Sequence, residues 1–362
     1  MRILSVFGTR PEAIKMAPLI LHLQGQVEIE VCVTGQHRKM LDQVLEIFSI
    51  QPRYDLNLMK PNQSLSSLAG EILIKVGELL QRQKYEWILV QGDTTTTMAA
   101  ALAGFYHQVR VGHLEAGLRT YNLKSPFPEE LNRQVTSRAS SLHFAPTETS
   151  RLNLVREGFP EENIHVTGNT VIDALYWVLK NVPAPDNGLP FELEERQMIL
   201  VTGHRRENFG HGFEQICQAL AQLSEQLPEV QIVYPVHLNP NVRGPVYQLL
   251  GKQPNIHLLG PLEYPLFVHL MSKAYLILTD SGGVQEEAPS LGKPVLLMRD
   301  TTERPEAVES GNVQLVGANC SGIVEATMNL QRDPELYRKM ATPSQVYGDG
   351  HASQRIAELL LR

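Results

Sequence analysis

The sequence predicts an α/β fold made of two doubly wound parallel sheets, and two observations support this prediction. Apolar strand-like runs alternate with helix-period segments along the 362 residues, a pattern typical of parallel strands joined by crossover helices. Residues 87–97 and 275–283 share one arrangement, in which a buried strand reaches an aspartate, Asp93 or Asp280, where a helix starts. We therefore expect two Rossmann-like domains facing each other across a cleft.

Each half of the chain supplies its own series of elements. Apolar runs predict first-half strands at 3–7, 27–33, 86–91 and 109–114, with helices at 12–24, 37–48 and 94–106. The second half has predicted strands at 198–204, 230–237, 255–260, 274–280, 293–298 and 312–317 and a helix at 212–227. Residues 181–190, rich in Pro, Asn and Gly, predict a linker or long loop. The predicted domains are 1–169, with a final helix at 352–362 packing back on it, and 170–351.

Composition limits the classes of function. With 43% hydrophobic and 20% charged residues, the chain is typical of a globular protein with a real core. A formal net charge of -7 without a long basic run argues against nucleic acid or an anionic membrane as the main partner. Three scattered cysteines form neither a disulfide framework nor a zinc cluster. No N-terminal leader or apolar span of about 20 residues is present, so we expect a cytoplasmic protein.

The segment from Tyr275 to Pro294 is the most informative part of the sequence. An apolar strand ends at Asp280 and is followed by Ser281, Gly282 and Gly283, which predict a helix start with free backbone N–H groups. Such a start suits a phosphate, and Glu287, one turn further on the same face, can accept from the two hydroxyls of a ribose. The pattern predicts a site for a diphosphate-linked sugar nucleotide. The alternative is that Asp280 only caps the helix.

The first half places cations and carboxylates where strands end. Arg10 and Lys15 follow the first strand and suit a diphosphate. Asp93 and Glu115 each come just after an apolar strand, and Glu129 starts a helix. Alternatives remain open: Asp93 can be a helix N-cap, and the neighbouring Glu130 can exchange roles with Glu129. His113 and Glu115 form an H-x-E pair without a third ligand nearby, so no metal site is predicted.

The second half offers further candidates at the ends of its strands. His204 follows its first strand and can contact a phosphate or move a proton near neutral pH, with Arg205 beside it, although a loop histidine satisfied by backbone is the alternative. His237 occupies the equivalent place after the next strand. Arg304 is a candidate nucleotide contact, and Phe267 can pack on a base or belong to the core. No G-x-G-x-x-G, P-loop or G-x-S-x-G motif is present, so no bound cofactor is expected.

Nine motifs in order make the chain resemble the bacterial non-hydrolysing UDP-N-acetylglucosamine 2-epimerases. The resemblance covers essentially the whole chain, and its motifs read FGTRPEAIKMAP, QGDTTTT, GHLEAGLRT, SPFPEELNR, GNTVID, TGHRREN, YPVHLNP, LTDSGGVQEEAPSLGKPVL and RDTTERPEA. It implies a glycosyltransferase-B-like fold, a homodimer, no cofactor, and interconversion of UDP-GlcNAc and UDP-ManNAc. The implied route eliminates UDP to a 2-acetamidoglucal and adds it back.

The resemblance also implies roles for individual residues. The catalytic residues are the carboxylates Asp93, Glu115 and Glu129 together with His204, which also contacts the leaving group. The other implied contacts fall into two sets. The leaving-group and nucleotide contacts are Arg10, Lys15, His204, Ser281, Gly282, Gly283, Glu287, Phe267 and Arg304. A second UDP-GlcNAc, bound as an effector, is implied to contact Gln36, Lys39, Glu129, Arg205 and His237. We hypothesise that this effector closes the cleft between the predicted domains.

Three other functions share parts of these motifs. A hydrolysing 2-epimerase would release UDP and free ManNAc. A retaining glycosyltransferase would need an acceptor and fewer carboxylates in the first domain. A non-catalytic nucleotide-sugar sensor would keep Glu287 but could lose Asp93, Glu115 and Glu129, all of which are present.

Overall fold

The computed structural model describes residues 1–35, 38–60, 63–185, 191, 198–205 and 208–362, excluding the side chains of residues 38 and 39. The chain divides into two compact units. Unit 1 consists of Met1–Trp177 with Tyr347–Arg362, and unit 2 consists of Val178–Val346. Most of the predicted linker at 181–190 lies outside the described residues, since only 181–185 are described.

Unit 1 contains a seven-stranded parallel sheet in the order β3-β2-β1-β4-β5-β6-β7. Its strands are β1 (Arg2–Phe7), β2 (Glu28–Val33), β3 (Tyr54–Asp55), β4 (Trp87–Gln91), β5 (Arg110–Leu114), β6 (Leu142–Ala145) and β7 (Ile164–Val166). Its helices are α1 (Arg10–Leu23), α2 (Arg38–Ile47), α3 (Leu65–Arg82), α4 (Thr95–Tyr106), α5 (Glu129–Ala139), α6 (Glu148–Arg156), α7 (Thr170–Asn181), which runs into unit 2, and α15 (Ala352–Leu361), with a 3-10 turn at Glu161–Asn163. Helix α15 packs against α1.

Unit 2 contains a six-stranded parallel sheet in the order β10-β9-β8-β11-β12-β13. Its strands are β8 (Met198–Thr202), β9 (Gln231–Pro235), β10 (Ile256–Leu259), β11 (Leu276–Thr279), β12 (Val295–Leu297) and β13 (Val313–Leu315). Its helices are α8 (His211–Gln226), α9 (Pro240–Leu250), α10 (Tyr264–Lys273), α11 (Gly282–Ser290), α12 (Pro305–Glu309), α13 (Cys320–Arg332) and α14 (Pro334–Met340). The predicted α/β class with two doubly wound parallel sheets is confirmed.

The central strands are buried on both faces, as expected for parallel sheets covered by helices. All five residues of β4 and all four of β11 are buried, and β1 is buried from Ile3 to Phe7. These strands read as continuous apolar runs for that reason, and they are the strands that the sequence predicts most clearly. In each unit the core lies between this sheet and the helices packed on it.

The strand order reverses between β1 and β4 in unit 1 and between β8 and β11 in unit 2. In doubly wound sheets, ligands bind beyond the carboxyl ends of the strands at such a switch point. The residues that follow these four strands within a few positions include Arg10, at the start of α1, and Asp93, His204 and Asp280 in turns. The fold therefore places predicted site residues at the switch point of each unit. Among the described residues, no helix is both long and apolar enough to cross a membrane.

Candidate active site

The turn after β1 is organised by Glu12, a buried carboxylate. Thr9 caps α1 and its hydroxyl accepts from the N–H of Glu12, while Glu12 accepts from the backbone N–H groups of Gly8 (3.0 Å) and Thr9 (2.7 Å). Thr94 and Thr97 donate their hydroxyls to the same carboxylate at 2.7 and 3.1 Å. Burial raises the pKa of Glu12 despite these donors. Glu12 thus ties the turn after β1 to the start of α4, across the switch point.

Gly8 in this turn is required by close packing. A Cβ at this position would lie 2.1 Å from the Thr34 hydroxyl oxygen and 2.8 Å from that of Thr96. The turn therefore has room only for a glycine. Arg10, the first residue of α1, follows directly and is half-buried.

Lys15 and Glu115 form an ion pair within unit 1. The Lys15 Nζ lies 2.5 Å from Glu115 Oε2, and the two side chains are only 13% and 9% exposed. Gln91, the last residue of β4, donates its amide to the same oxygen. Glu115 lies one residue past β5 with φ 62°, in the left-handed region that few non-glycine residues adopt. The structure brings Lys15, predicted as a diphosphate contact, into direct contact with one of the predicted catalytic carboxylates.

Asp93 is held by helix α5 and is not a helix cap. Thr94 caps α4, with its hydroxyl accepting from the N–H of Thr97, so the alternative reading of Asp93 as an N-cap is wrong. Arg133 donates through Nε to Asp93 Oδ2 (2.9 Å), and its Nη2 lies 2.7 Å from the same oxygen. Asn132 donates to the backbone carbonyl of Asp93 (2.9 Å).

Glu129 and Glu130, whose roles the sequence leaves open, have different contacts in the structure. Glu130 is fully buried and accepts from the N–H groups of Thr120 (3.0 Å) and Tyr121 (3.1 Å) and from Arg133 (3.2 Å). Burial favours its neutral form, but these donors hold the pKa of Glu130 below its usual value. Oε2 of Glu129 is buried without a hydrogen-bond partner among the residues that the structure describes. Glu130 is therefore a structural anchor, whereas Glu129 keeps a buried oxygen that no described residue satisfies.

His113 and its neighbour His143 are buried histidines of the sheet core. His113 Nε2 lies 2.8 Å from the carbonyl of Gly92, so the neutral ring donates there. Burial lowers the pKa of His113 to about 4 and that of His143 to about 3. His113 lies in β5 and Glu115 beyond its end, so the two do not share a strand face. Within the described part of the chain, no group of three or more His, Cys, Asp and Glu residues could hold a metal ion.

In unit 2, Asp280 organises the turn after β8. Its fully buried carboxylate accepts from the backbone N–H groups of His204 (2.9 Å) and Arg205 (2.9 Å) and from the Asn208 amide (3.2 Å). The N-cap of α11 is Ser281, so the alternative in which Asp280 merely caps that helix is wrong. The His204 Nδ1 lies 3.5 Å from the Asp280 carboxylate. Burial lowers the pKa of His204, and the Asp280 charge opposes this effect.

The start of α11 faces an arginine. A Cβ at Gly282 would lie 2.8 Å from Nη1 and 3.0 Å from Cζ of Arg304, so the guanidinium rests on the first residue of the helix. Glu286 accepts from Arg304 Nε at 2.6 Å. A cation is unfavourable at a helix N-terminus, and the Glu286 carboxylate compensates it here. The main-chain N–H groups of Gly282 and Gly283 also lie at this start.

The carboxylate of Glu303 is shared by the arginines around Arg304. Glu303 lies 2.8 Å from Arg299 and 3.9 Å from both Arg205 and Arg304. Burial raises the pKa of Glu303, but Arg304 and Arg299 overcome this effect and lower it to about 2. The sequence points to Arg205 and Arg304, but it does not reveal this shared carboxylate.

Glu287 is buried on α11 and is oriented by Tyr264, whose hydroxyl donates to Oε1 at 2.8 Å. Tyr264 begins α10, and Phe267 lies three residues further, on the same side of that helix. Phe267 is partly buried. The structure thus places the predicted ribose contact beside the helix that holds the predicted base contact. Tyr264 is a functional candidate that sequence reasoning missed.

Two of the predicted effector residues are not fully covered by the described part of the structure. Gln36 lies outside the described residues, and the side chain of Lys39 is likewise not described. His237 is exposed, and its ring stacks on that of His204 with centroids 5.7 Å apart. Arg205 and His237 therefore both lie beside His204 in unit 2.

Two doubly wound parallel sheets, each with polar side chains gathered at its switch point, define a two-domain α/β protein of the glycosyltransferase-B-like class. A family model described as UDP-N-acetylglucosamine 2-epimerase matches residues 20–361. The chain belongs to the UDP-N-acetylglucosamine 2-epimerase family.

Relatives and solved structures agree with this assignment. The chain is 58% identical to the UDP-N-acetylglucosamine 2-epimerase of Yersinia pestis and 56% identical to that of Escherichia coli K12, in both cases over 99% of this chain and 98% of the relative. A crystal structure of UDP-GlcNAc 2-epimerase from Neisseria meningitidis bound to UDP-GlcNAc matches 100% of both chains with a TM-score of 0.94 and 53% identity. The enzyme from Methanocaldococcus jannaschii, in complex with UDP-GlcNAc and UDP, gives a TM-score of 0.83 at 32% identity, over 100% of this chain and 99% of its own.

Proposed function

We propose that this chain catalyses the reversible, non-hydrolysing 2-epimerisation of UDP-N-acetylglucosamine to UDP-N-acetylmannosamine. The observation that carries the proposal is the set of carboxylates in unit 1. Asp93 and Glu115 lie at the carboxyl edge of the sheet with fixed basic partners, and Glu129 has a buried oxygen that no described residue satisfies. Membership of the epimerase family and the likeness to a structure with bound UDP-GlcNAc support it.

The chemistry explains why several carboxylates are needed. The C2 proton of the sugar is not adjacent to a carbonyl group, so UDP must depart as that proton is removed. The C2–H electron pair forms the C1–C2 double bond, the C1–O bond breaks with its electrons leaving on UDP, and a carboxylate takes the proton. Return of UDP to C1 with protonation of C2 on the opposite face gives the epimer. Acids and bases on two faces are therefore required.

Each unit contributes a different part of this reaction in our proposal. Asp93, Glu115 and Glu129 transfer protons, and Arg10 and Lys15 contact the departing diphosphate. In unit 2 the nucleotide is held by Ser281, Gly282, Gly283, Glu287, Phe267, Arg304 and His204. The N–H groups at the start of α11 and the Arg304 charge suit the diphosphate, while the Tyr264 hydroxyl orients Glu287 toward the ribose.

The test is proton and phosphorus NMR of the purified protein with UDP-GlcNAc in D2O, without added metal or nicotinamide. We expect UDP-ManNAc with deuterium at C2. Free ManNAc and UDP would instead assign the hydrolysing reaction. Bound but unchanged UDP-GlcNAc would favour a sensor or an acceptor-dependent transferase. The cytoplasmic location inferred from the sequence stays a prediction.

We also propose that the protein is a homodimer that associates through unit 1. Exposed apolar side chains cluster on α4, α5 and the loop before α5, including Phe105 (58% exposed), Tyr121 (56%) and Leu131 (44%). They line a groove of about 560 Å³. Exposed apolar patches of this kind mark interaction sites. Sedimentation should give a dimer that Leu131→Glu dissociates, whereas the control Leu249→Glu in unit 2 should leave it intact.

A second UDP-GlcNAc is proposed as an effector at Gln36, Lys39, Glu129, Arg205 and His237. The rate should then rise sigmoidally with UDP-GlcNAc, and the reverse reaction should show a lag until UDP-GlcNAc accumulates. His237→Ala should flatten the sigmoid while UDP binding persists. A hyperbolic rate without a lag would rule out the effector.

A further inference from the structure

We propose that Arg133 is a positioning residue that presents one oxygen of Asp93 to the sugar. This inference rests on the proposed epimerase function. Arg133 is 8% exposed, while Asp93 keeps 28% of its side chain accessible. The buried guanidinium of Arg133 thus binds the carboxylate of Asp93, which stays partly accessible to solvent.

The geometry at Asp93 divides its two oxygens. Nε and Nη2 of Arg133 both approach Oδ2, at 2.9 and 2.7 Å. Within the described part of the chain, Oδ1 has no hydrogen-bond partner. The two nitrogens therefore fix Oδ2 of the carboxylate and leave Oδ1 as the single oxygen for proton transfer. General acid–base catalysis requires this kind of fixed reach.

Three further contacts hold the arrangement in place. Nη1 of Arg133 lies 3.2 Å from Glu130, which is pinned by the backbone of Thr120 and Tyr121. Asn132, on the same helix, donates to the Asp93 carbonyl at 2.9 Å. His113 approaches the carbonyl of Gly92, the preceding residue, at 2.8 Å. The backbone and side chain of Asp93 are thus fixed from α5 and β5, whereas an ordinary surface ion pair would leave both free to move.

The geometry, and not the positive charge alone, is the essential feature. The Arg133 guanidinium contacts Asp93 through Nε and Nη2 and Glu130 through Nη1. Lysine keeps the positive charge but has a single side-chain nitrogen, so it cannot make all of these contacts. Arg133→Lys therefore separates positioning from electrostatic compensation. Arg119 offers a matched control, because its side chain is fully buried and its Nε and Nη2 donate to Glu157 at 2.7 and 3.0 Å. Its hydrogen-bond partners in the described part of the chain, Glu157, Leu118 and Ser137, are not predicted site residues.

The experiment compares wild type, Arg133→Lys and Arg119→Lys by steady-state kinetics, by UDP affinity and by melting temperature. Arg133→Lys should lower kcat about a hundredfold, since small misplacement of a reacting group costs about that much. KM and UDP affinity should stay within about threefold. Arg119→Lys should lose comparable thermal stability and keep its kcat.

The other outcomes are equally informative. Unchanged kcat in Arg133→Lys, or an equal loss of kcat in both variants at equal loss of stability, overturns the inference. If Arg133→Lys does not fold, Glu130→Gln takes its place. That change weakens the interaction of residue 130 with Nη1 of Arg133 and should lower kcat about tenfold with KM unchanged. Full retention of kcat in this variant overturns the inference. Wild type that does not epimerise would instead refute the proposed function, so the two failures are distinguishable.

Discussion

The Nζ of Lys15 lies 2.5 Å from Oε2 of Glu115, and both side chains are almost completely removed from solvent. The two residues are one hundred positions apart in the chain, and the pair joins α1 to the turn after β5. A charged pair in such a setting is sensitive to loss of either partner, because the remaining charge stays buried. The same pair places a cation beside a candidate catalytic carboxylate.

Removing Lys15 should destabilise the protein more than removing both partners. Lys15→Met leaves Glu115 buried beside Gln91 without its cation and should cost about 3 kcal/mol. The double variant Lys15→Met with Glu115→Gln should recover about 1–2 kcal/mol of that loss. Urea unfolding of the four proteins measures both values. Additive losses would show that the pair is not coupled.

Glycine should be tolerated better than alanine at position 115. Glu115 has φ 62°, where a Cβ costs about 1 kcal/mol and glycine has no such cost. Glu115→Gly and Glu115→Ala both remove the carboxylate, so they differ mainly in backbone strain. Glu115→Gly should be the more stable by about 1 kcal/mol in chemical denaturation. The reverse order, which is usual in regular elements, would refute strain at this position.

The sequence predicts ten of the thirteen described strands but not β3, β6 and β7. Strands β3 and β7 are the edge strands of the unit 1 sheet and β6 lies next to β7, and their sequences YD, IHV and LHFA contain no continuous apolar run. The candidate carboxylates are visible because they follow buried strands, whereas their partners are not. Arg133 reaches Asp93 across 40 positions, and Tyr264 reaches Glu287 across 23. No local pattern signals such contacts, although the T-x-x-E spacing of Thr9 and Glu12 is a capping-box signal that could have identified Glu12.

Gly282 should tolerate alanine poorly, unlike its neighbour. A Cβ at Gly282 would press on Arg304, which is anchored by Glu286 and cannot move without breaking that ion pair. Gly282→Ala should therefore destabilise unit 2 by about 1–2 kcal/mol and weaken UDP binding. Among the described residues, a Cβ at Gly283 would meet only the Glu287 carboxylate, at 3.8 Å. Gly283→Ala should leave stability within about 0.5 kcal/mol, and equal losses in the two variants would contradict the packing at Gly282.

The free energy of unfolding should fall as the pH drops from about 6.5 towards 4. Histidines that are buried and neutral in the folded state bind protons in the unfolded chain over this range. Burial lowers the pKa of His113 to about 4 and that of His143 to about 3, from an ordinary value of 6.5. The folded state therefore binds fewer protons in this range, and each histidine contributes up to about 1.4 kcal/mol per pH unit. His143→Phe keeps an aromatic ring against Phe159 and removes one titrating group. Urea unfolding at pH 7, 6 and 5 should show a smaller decrease in the free energy of unfolding for this variant than for wild type. The control His211→Phe, at an exposed position, should keep the wild-type dependence of that free energy on pH. A His143→Phe protein with the wild-type slope would show that the acid sensitivity arises elsewhere.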